Sequence, residues 1–181
     1  MFYRLMISLC LLASFSACGS SGEGPETNTL SAEKTKSLKT SALRDARATS
    51  NATLKGDWKT VIHHTHPNVV KAMGGPEAAA ALVGSMMNDM SEMLSIDQSK
   101  VGDVSEIAYE QGEYRCLVEN YLTVTVSGLI TKKLSYLFGV YDPQKEIWYF
   151  IEANELKDKK SRELLIPGFK TALEIPEDKT L

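Results

Sequence analysis

Between Tyr114 and Ser127 the side chains alternate so regularly that the run has to be a β-strand with two distinct faces. Cys116, Val118, Asn120, Leu122, Val124 and Val126 share one face, while Leu117, Glu119, Tyr121, Thr123 and Thr125 share the other. Both faces carry apolar side chains, so both need cover: helices on one side, and a partner or a cavity on the other. The same period of two marks Val104 to Glu110, Leu129 to Asp142 and Glu146 to Glu152. The links Gln111-Gly112-Glu113, Gly128 and Pro143-Gln144-Lys145 are short enough to make these runs antiparallel neighbours.

Upstream the spacing is helical. No aromatic residue occurs from Gly19 to Asp57, so the main core is expected to begin near Trp58. Ser31 to Lys55 has helix-forming composition with a thin apolar stripe of Leu38, Ala42, Leu43, Ala46 and Leu54, its first half reading as solvated. Gly56 is the stop, and Asp57 then caps a short helix through Trp58, Val61 and Ile62. His66-Pro67-Asn68-Val69-Val70 reads as extended, because proline disfavours helix before it and the β-branched pair favours strand. Gly74-Gly75-Pro76-Glu77 opens a further helix, on which Ala79, Leu82, Val83, Met86, Met90, Met93 and Leu94 recur as one apolar face. The fold class is therefore α+β, with N-terminal helices packed on a curved antiparallel sheet of about four to five strands.

The first residues carry an address. Arg4 precedes an apolar stretch, Leu5 to Phe15, too short to span a bilayer, which needs about twenty helical residues. Phe15-Ser16-Ala17-Cys18 followed by Gly19-Ser20-Ser21-Gly22 resembles the lipobox of bacterial lipoproteins. The resemblance implies a signal peptide over 1–17, cleavage before Cys18, and acylation of Cys18. The expected organisation is then 1–17 signal, 18–40 lipidated cysteine, tether and start of the first helix, and 41–181 the folded domain. The partner implied is the lipid bilayer, with the protein exported and held at a membrane by its acyl chains. Cys116 would be the one thiol left for the folded part, which excludes an intramolecular disulfide there; its place in an alternating apolar run reads as buried packing. A net charge of −3 argues against nucleic acid as a partner.

Four local patterns point to a family. They are Leu54-Lys55-Gly56-Asp57-Trp58, His66-Pro67 with Val69-Val70, Gly74-Gly75 with Glu77-Ala78, and Trp148-Tyr149-Phe150-Ile151. Together they are similar to the nuclear transport factor 2-like superfamily, which includes SnoaL-like cyclases and ketosteroid isomerases, over about Ser41 to Glu152. The resemblance implies a cone of helices and bent sheet with an apolar pocket at its open end, and dimerisation through the exposed sheet face. The isomerase branch surrounds its pocket with an Asp base and a Tyr paired with a protonated Asp. That set has no residue-by-residue match here, so the fold carries over and the catalysis does not.

All three histidines fall in His63-His64-Thr65-His66. Neighbouring helical residues point about 100° apart, which separates His63 from His64 as ligands of one ion, and no H-E-x-x-H pattern is present. No metal and no cofactor are expected, since Gly74-Gly75 lacks a Walker lysine and paired CxxC elements are absent. Histidines in this run suit either capping and solvent-facing roles or a pocket base, for which His63 and His66 are the candidates. Glu119, mid-strand, and Tyr121 complete the candidate catalytic set. Trp58, Met86, Met90, Met93 and Tyr136 are the candidates for lining a pocket, the methionines because flexible thioethers accommodate varied apolar ligands.

These readings lead to a membrane-anchored protein whose domain binds a small apolar ligand or a protein partner without catalysis. The alternatives are an isomerase- or cyclase-like enzyme using a pocket histidine with Glu119 or Tyr121, and a structural envelope lipoprotein that forms a homodimer through its sheet face. Cys18→Ala is expected to move the protein from the membrane pellet to the soluble fraction on ultracentrifugation; continued membrane association refutes the anchor.

Overall fold

The computed structural model describes residues 30–181, so the expected signal peptide, Cys18 and the expected tether up to residue 29 lie outside the described residues. The architecture is α+β, with helices packed on a six-stranded antiparallel sheet that does not close into a barrel. Ser31 accepts from the Lys34 N–H and starts α1 (Ala32–Lys55), which ends at Gly56 in the left-handed conformation, φ 66°. Asp57 caps α2 (Trp58–His63) by accepting from Thr60 N. Contrary to the solvated reading of its first half, α1 buries Leu38 and Ala42 in the core. The domain therefore begins before residue 41, and α1 crosses that boundary unbroken.

Residues 66–70 are not extended. They form α3 (Pro67–Ala72), with proline at its first turn and the His66 ring accepting from Asn68 N. Only His66 is held out of the helix by the following proline; from the first position on, the fixed φ of Pro67 favours helix over the strand preference of two valines. In α4 (Pro76–Asp89) the anticipated apolar face is buried only at Ala79, while Leu82, Met86, Met90 and Met93 are exposed.

The sheet has the order β1-β3-β4-β5, built from β1 (Leu94–Val104), β3 (Glu113–Val126), β4 (Leu129–Asp142) and β5 (Ile147–Glu152). Two short strands extend its edges, β2 (Ala108–Glu110) beside β3 and β6 (Lys179–Thr180) beside β4. The strand expected from Val104 is thus two strands, and the long one starts at Leu94. Irregular register between Ile96 and Gln98 and again between Val101 and Val104 breaks the alternation that reveals a strand in sequence. At the second irregularity Gly102 leaves room for the Glu119 and Tyr121 side chains, which a Cβ there would displace, standing 2.5 Å from Glu119 Oε2.

The inner face carries Cys116, Val118, Trp148 and Phe150 against Leu38, Ala42 and Ala46 of α1. Burial pushes the Cys116 thiol up to about 12, consistent with a packing role. The outer face carries Leu117, Phe138, Val140 and Ile151, and the chain's own C-terminal segment covers them through Leu156, Phe169, Leu173 and Ile175. A short helix, α5 (Lys159–Leu165), leads into that segment. Arg115, almost fully buried, clasps it: the guanidinium donates to Lys170 O at 2.8 Å and to Glu113 Oε2 at 2.8 Å, lying against the Phe138 and Phe169 rings. Glu110 adds an acceptor for Ala172 N at 2.7 Å.

Beyond its pairing with β4, β5 has a second edge, and the helical layer saturates it. Trp148 N donates to Asp45 Oδ2 at 2.9 Å, and Phe150 N donates to His64 O at 2.7 Å. Phe150 O accepts from His66 N at 3.0 Å, and His64 Nδ1 lies 3.2 Å from Trp148 O. Asp45 is 3% exposed and is also held by Arg44 Nε at 2.6 Å. Asp45→Ala should lower the unfolding free energy by about 2–3 kcal/mol, because a buried N–H loses a charged acceptor. Asp45→Asn, which keeps an acceptor oxygen, should cost less. Urea denaturation reads both, and an unchanged Asp45→Ala midpoint contradicts the assignment.

Candidate functional site

Between α1 and the inner face of the sheet lies an open cavity of about 560 Å³, within the usual range of about 300–1,000 Å³ for ligand sites. Its apolar walls include Val61, Val69, Leu122, Leu137 and Phe150. The helices contribute Thr49, Ser50, Thr53, His64 and Thr65; the sheet contributes Ser99 and Asn120; Glu152 and Glu155 stand where β5 turns into the 3-10 turn Ala153–Leu156. The cavity exists because the latched edge of β5 holds the α2–α3 junction against Phe150 while α1 spans the sheet above it.

His64 is 7% exposed, and burial lowers its pKa, with a smaller opposing effect from its bond to Trp148 O. A carbonyl can only accept, so Nδ1 carries the proton and Nε2 is the acceptor of the neutral ring. Asn120, also 7% exposed, donates through Nδ2 to Ser135 Oγ at 3.4 Å. Ser135 in turn stands near the Glu152 carboxyl and favours its ionised form. The Glu152 side chain is solvent-accessible through the cavity mouth but hemmed in by protein elsewhere. That burial pushes its carboxyl up to about 7; Lys133 and Ser135 favour ionisation, and Asp178 and Glu155 oppose it.

The candidates named from sequence are dispersed. His63 is exposed and lines a separate open hollow with Trp58, between α2 and α4. His66 caps α3, and burial lowers its pKa. Glu119 and Tyr121 are bonded to each other, Tyr121 Oη donating to Glu119 Oε2 at 3.0 Å, and this bond raises the tyrosine pKa. They stand on the outer face, since their neighbour Asn120 lines the cavity. Tyr136, paired across strands with Glu119, packs on the outer cluster. Met86, Met90 and Met93 are exposed and do not line this cavity. Among the described residues no three His, Cys, Asp or Glu side chains converge to hold a metal ion, and no helix is long and apolar enough to cross a membrane.

His64 and Glu152 are therefore the chemistry-bearing residues of the cavity, and neither was singled out from sequence. A signal for His64 existed: of the three histidines it alone falls one helical turn after Thr60 and Val61, on the side of α2 that turns toward the sheet. Compared with known proteins, the chain matches no family model, no curated protein and no solved structure.

The raised pKa of Glu152 has a definite sign. Its folded value of about 7 lies above the model value of 4.5, so the protonated form favours the folded state and that advantage is lost as pH rises through this window. Glu152→Gln should accordingly gain thermal stability relative to the native chain between about pH 5 and about pH 8. Parallel melting curves across that range refute the shift.

Proposed function

We propose that this chain is a lipid-anchored protein whose cone-like domain binds a small apolar ligand without catalysis. The cavity is the observation that carries the reading: its volume, its largely apolar walls and its few inward polar groups suit a bound small molecule. The order of helices followed by a bent antiparallel sheet supports a nuclear transport factor 2-like domain, and a largely apolar cavity between helices and sheet is in keeping with that reading. Anchoring at Cys18 rests on the lipobox-like run and would hold the domain at the membrane surface.

One observation favours a second reading, an isomerase- or cyclase-like enzyme. A carboxyl with a pKa of about 7 and a neutral histidine line the same cavity, which is a workable acid–base pairing. Its residues would be His64 and Glu152, in place of His63 or His66 with Glu119 or Tyr121.

The binding reading is tested with N-phenylnaphthylamine, an apolar dye that brightens on leaving water. The native chain should enhance its fluorescence with micromolar affinity. Thr53→Phe, which puts a ring into the cavity from a half-buried helical position, should abolish the enhancement while leaving the melting temperature near its native value. An undiminished signal in that variant refutes binding in this cavity.

A further inference from the structure

The polar groups of the cavity share a property that defines its ligand. Thr49 Oγ1 donates to Asp45 O at 3.1 Å, Thr53 Oγ1 to Thr49 O at 3.0 Å, and Thr65 Oγ1 to Val61 O at 2.9 Å. Each hydroxyl hydrogen is spent on the preceding helical turn, so these threonines offer a ligand only oxygen lone pairs. His64 uses its one N–H on Trp148 O and keeps Nε2 as an acceptor without a protein partner among the described residues. Asn120 gives one N–H to Ser135, leaving its amide oxygen as an acceptor and its second N–H as a donor. The Ser50 and Ser99 hydroxyls are 2.7 Å apart and share one hydrogen, which leaves the pair a single hydrogen to donate.

The charged side chains lining the cavity, Glu152 and Glu155, are both acidic. The nearest cation, Lys133, is already paired with Asp178 at 2.8 Å. A ligand that brings only acceptors, such as a carboxylate or a ketone, meets one serine hydroxyl hydrogen and one Asn120 amide hydrogen, with two acidic side chains at the rim. A ligand that brings donors finds the threonine oxygens, His64 Nε2 and the Asn120 amide oxygen as acceptors, and His64 and Asn120 are both more than nine-tenths buried residues of the cavity wall.

We propose that the cavity is a receptor for a small apolar amine, its body against the Val61, Leu137 and Phe150 walls and its ammonium on the acceptors and the Glu152–Glu155 rim. This rests on the ligand-binding reading above and gives it a chemical class. The acidic rim favours a cation, the walls require an apolar body, and the acceptor lining rewards N–H donors. Binding is strongest when Glu152 is ionised. The groups that face Glu152 are Ser135 and Lys133 from β4, Glu155 from the 3-10 turn and Asp178 from the tail, so amine affinity rises with pH through the Glu152 titration while the amine itself stays protonated.

The test is isothermal titration calorimetry of the purified full chain with three probes that share one body: naphthylmethylamine, naphthylmethanol and naphthoate. The amine should bind at least about tenfold more tightly than the alcohol, with naphthoate weakest. Glu152→Gln should erase most of the amine's advantage and its rise between about pH 6 and about pH 8, while leaving the alcohol's affinity unchanged. Naphthoate binding as tightly as the amine, or an amine advantage that survives in the Glu152→Gln, Glu155→Gln double variant, overturns the assignment. If the alcohol binds and the amine gains nothing over it, the amine proposal falls and the apolar-cavity reading stands. If none of the three binds, both fall.

Discussion

The structure depends on how one strand edge is finished. β5 pairs with β4 on one side, and on the other its backbone would present open donors and acceptors, which invite foreign strands. Here the main-chain groups of Trp148 and Phe150 on that edge are bonded by Asp45, His64 and His66. Asp45 belongs to α1 and the histidines to the α2–α3 junction, so finishing the edge also docks both helical elements. The same bonds orient the His64 ring, set its tautomer and bring it to the cavity wall. Two of the three histidines, His64 and His66, are accounted for first as edge pairing and helix capping, and only then as chemistry.

The outer face follows a different solution to the same problem of cover. Alternation along β3 leaves apolar groups on both sides, and the chain supplies the second cover from its own C-terminal segment. Arg115 makes that possible: its buried guanidinium satisfies a tail carbonyl and the carboxylate of Glu113 at the start of β3 while stacking against two phenylalanines. Tail and sheet are thus one packing unit over that region, and the cavity opens on the opposite side, lined by α1 and the inner face.

Much of this was legible in the amino-acid order. Ser31, Gly56, Asp57 and Pro76 mark helix ends because capping is local chemistry, and β3, β4 and β5 show their period because their register is unbroken. β1 was hidden by two irregularities and a polar composition, and α3 by the competing preferences of a proline and two valines. The tail has no period at all; Leu173 is buried by tertiary contact alone. The site was less readable than the fold. Glu119 stands out in sequence as a mid-strand carboxylate but falls on the outer face, whereas Glu152 shares the inner face with Phe150 two residues before it and so reaches the cavity. Which lone pairs a threonine leaves open depends on whether it donates to its own helix, and that is visible only in coordinates.

The bond from Asp45 to Trp148 joins residues 103 positions apart, and His64 reaches the same strand from 84 positions away. Closing loops of that length carries a heavy entropic toll, and such topologies fold slowly. It also sets an order in time. Until β5 has been made, the Asp45 carboxylate of α1 lacks its main-chain donor and His64 its carbonyl partner, so the bonds that dock the N-terminal helices on the sheet belong to the later part of the chain's synthesis.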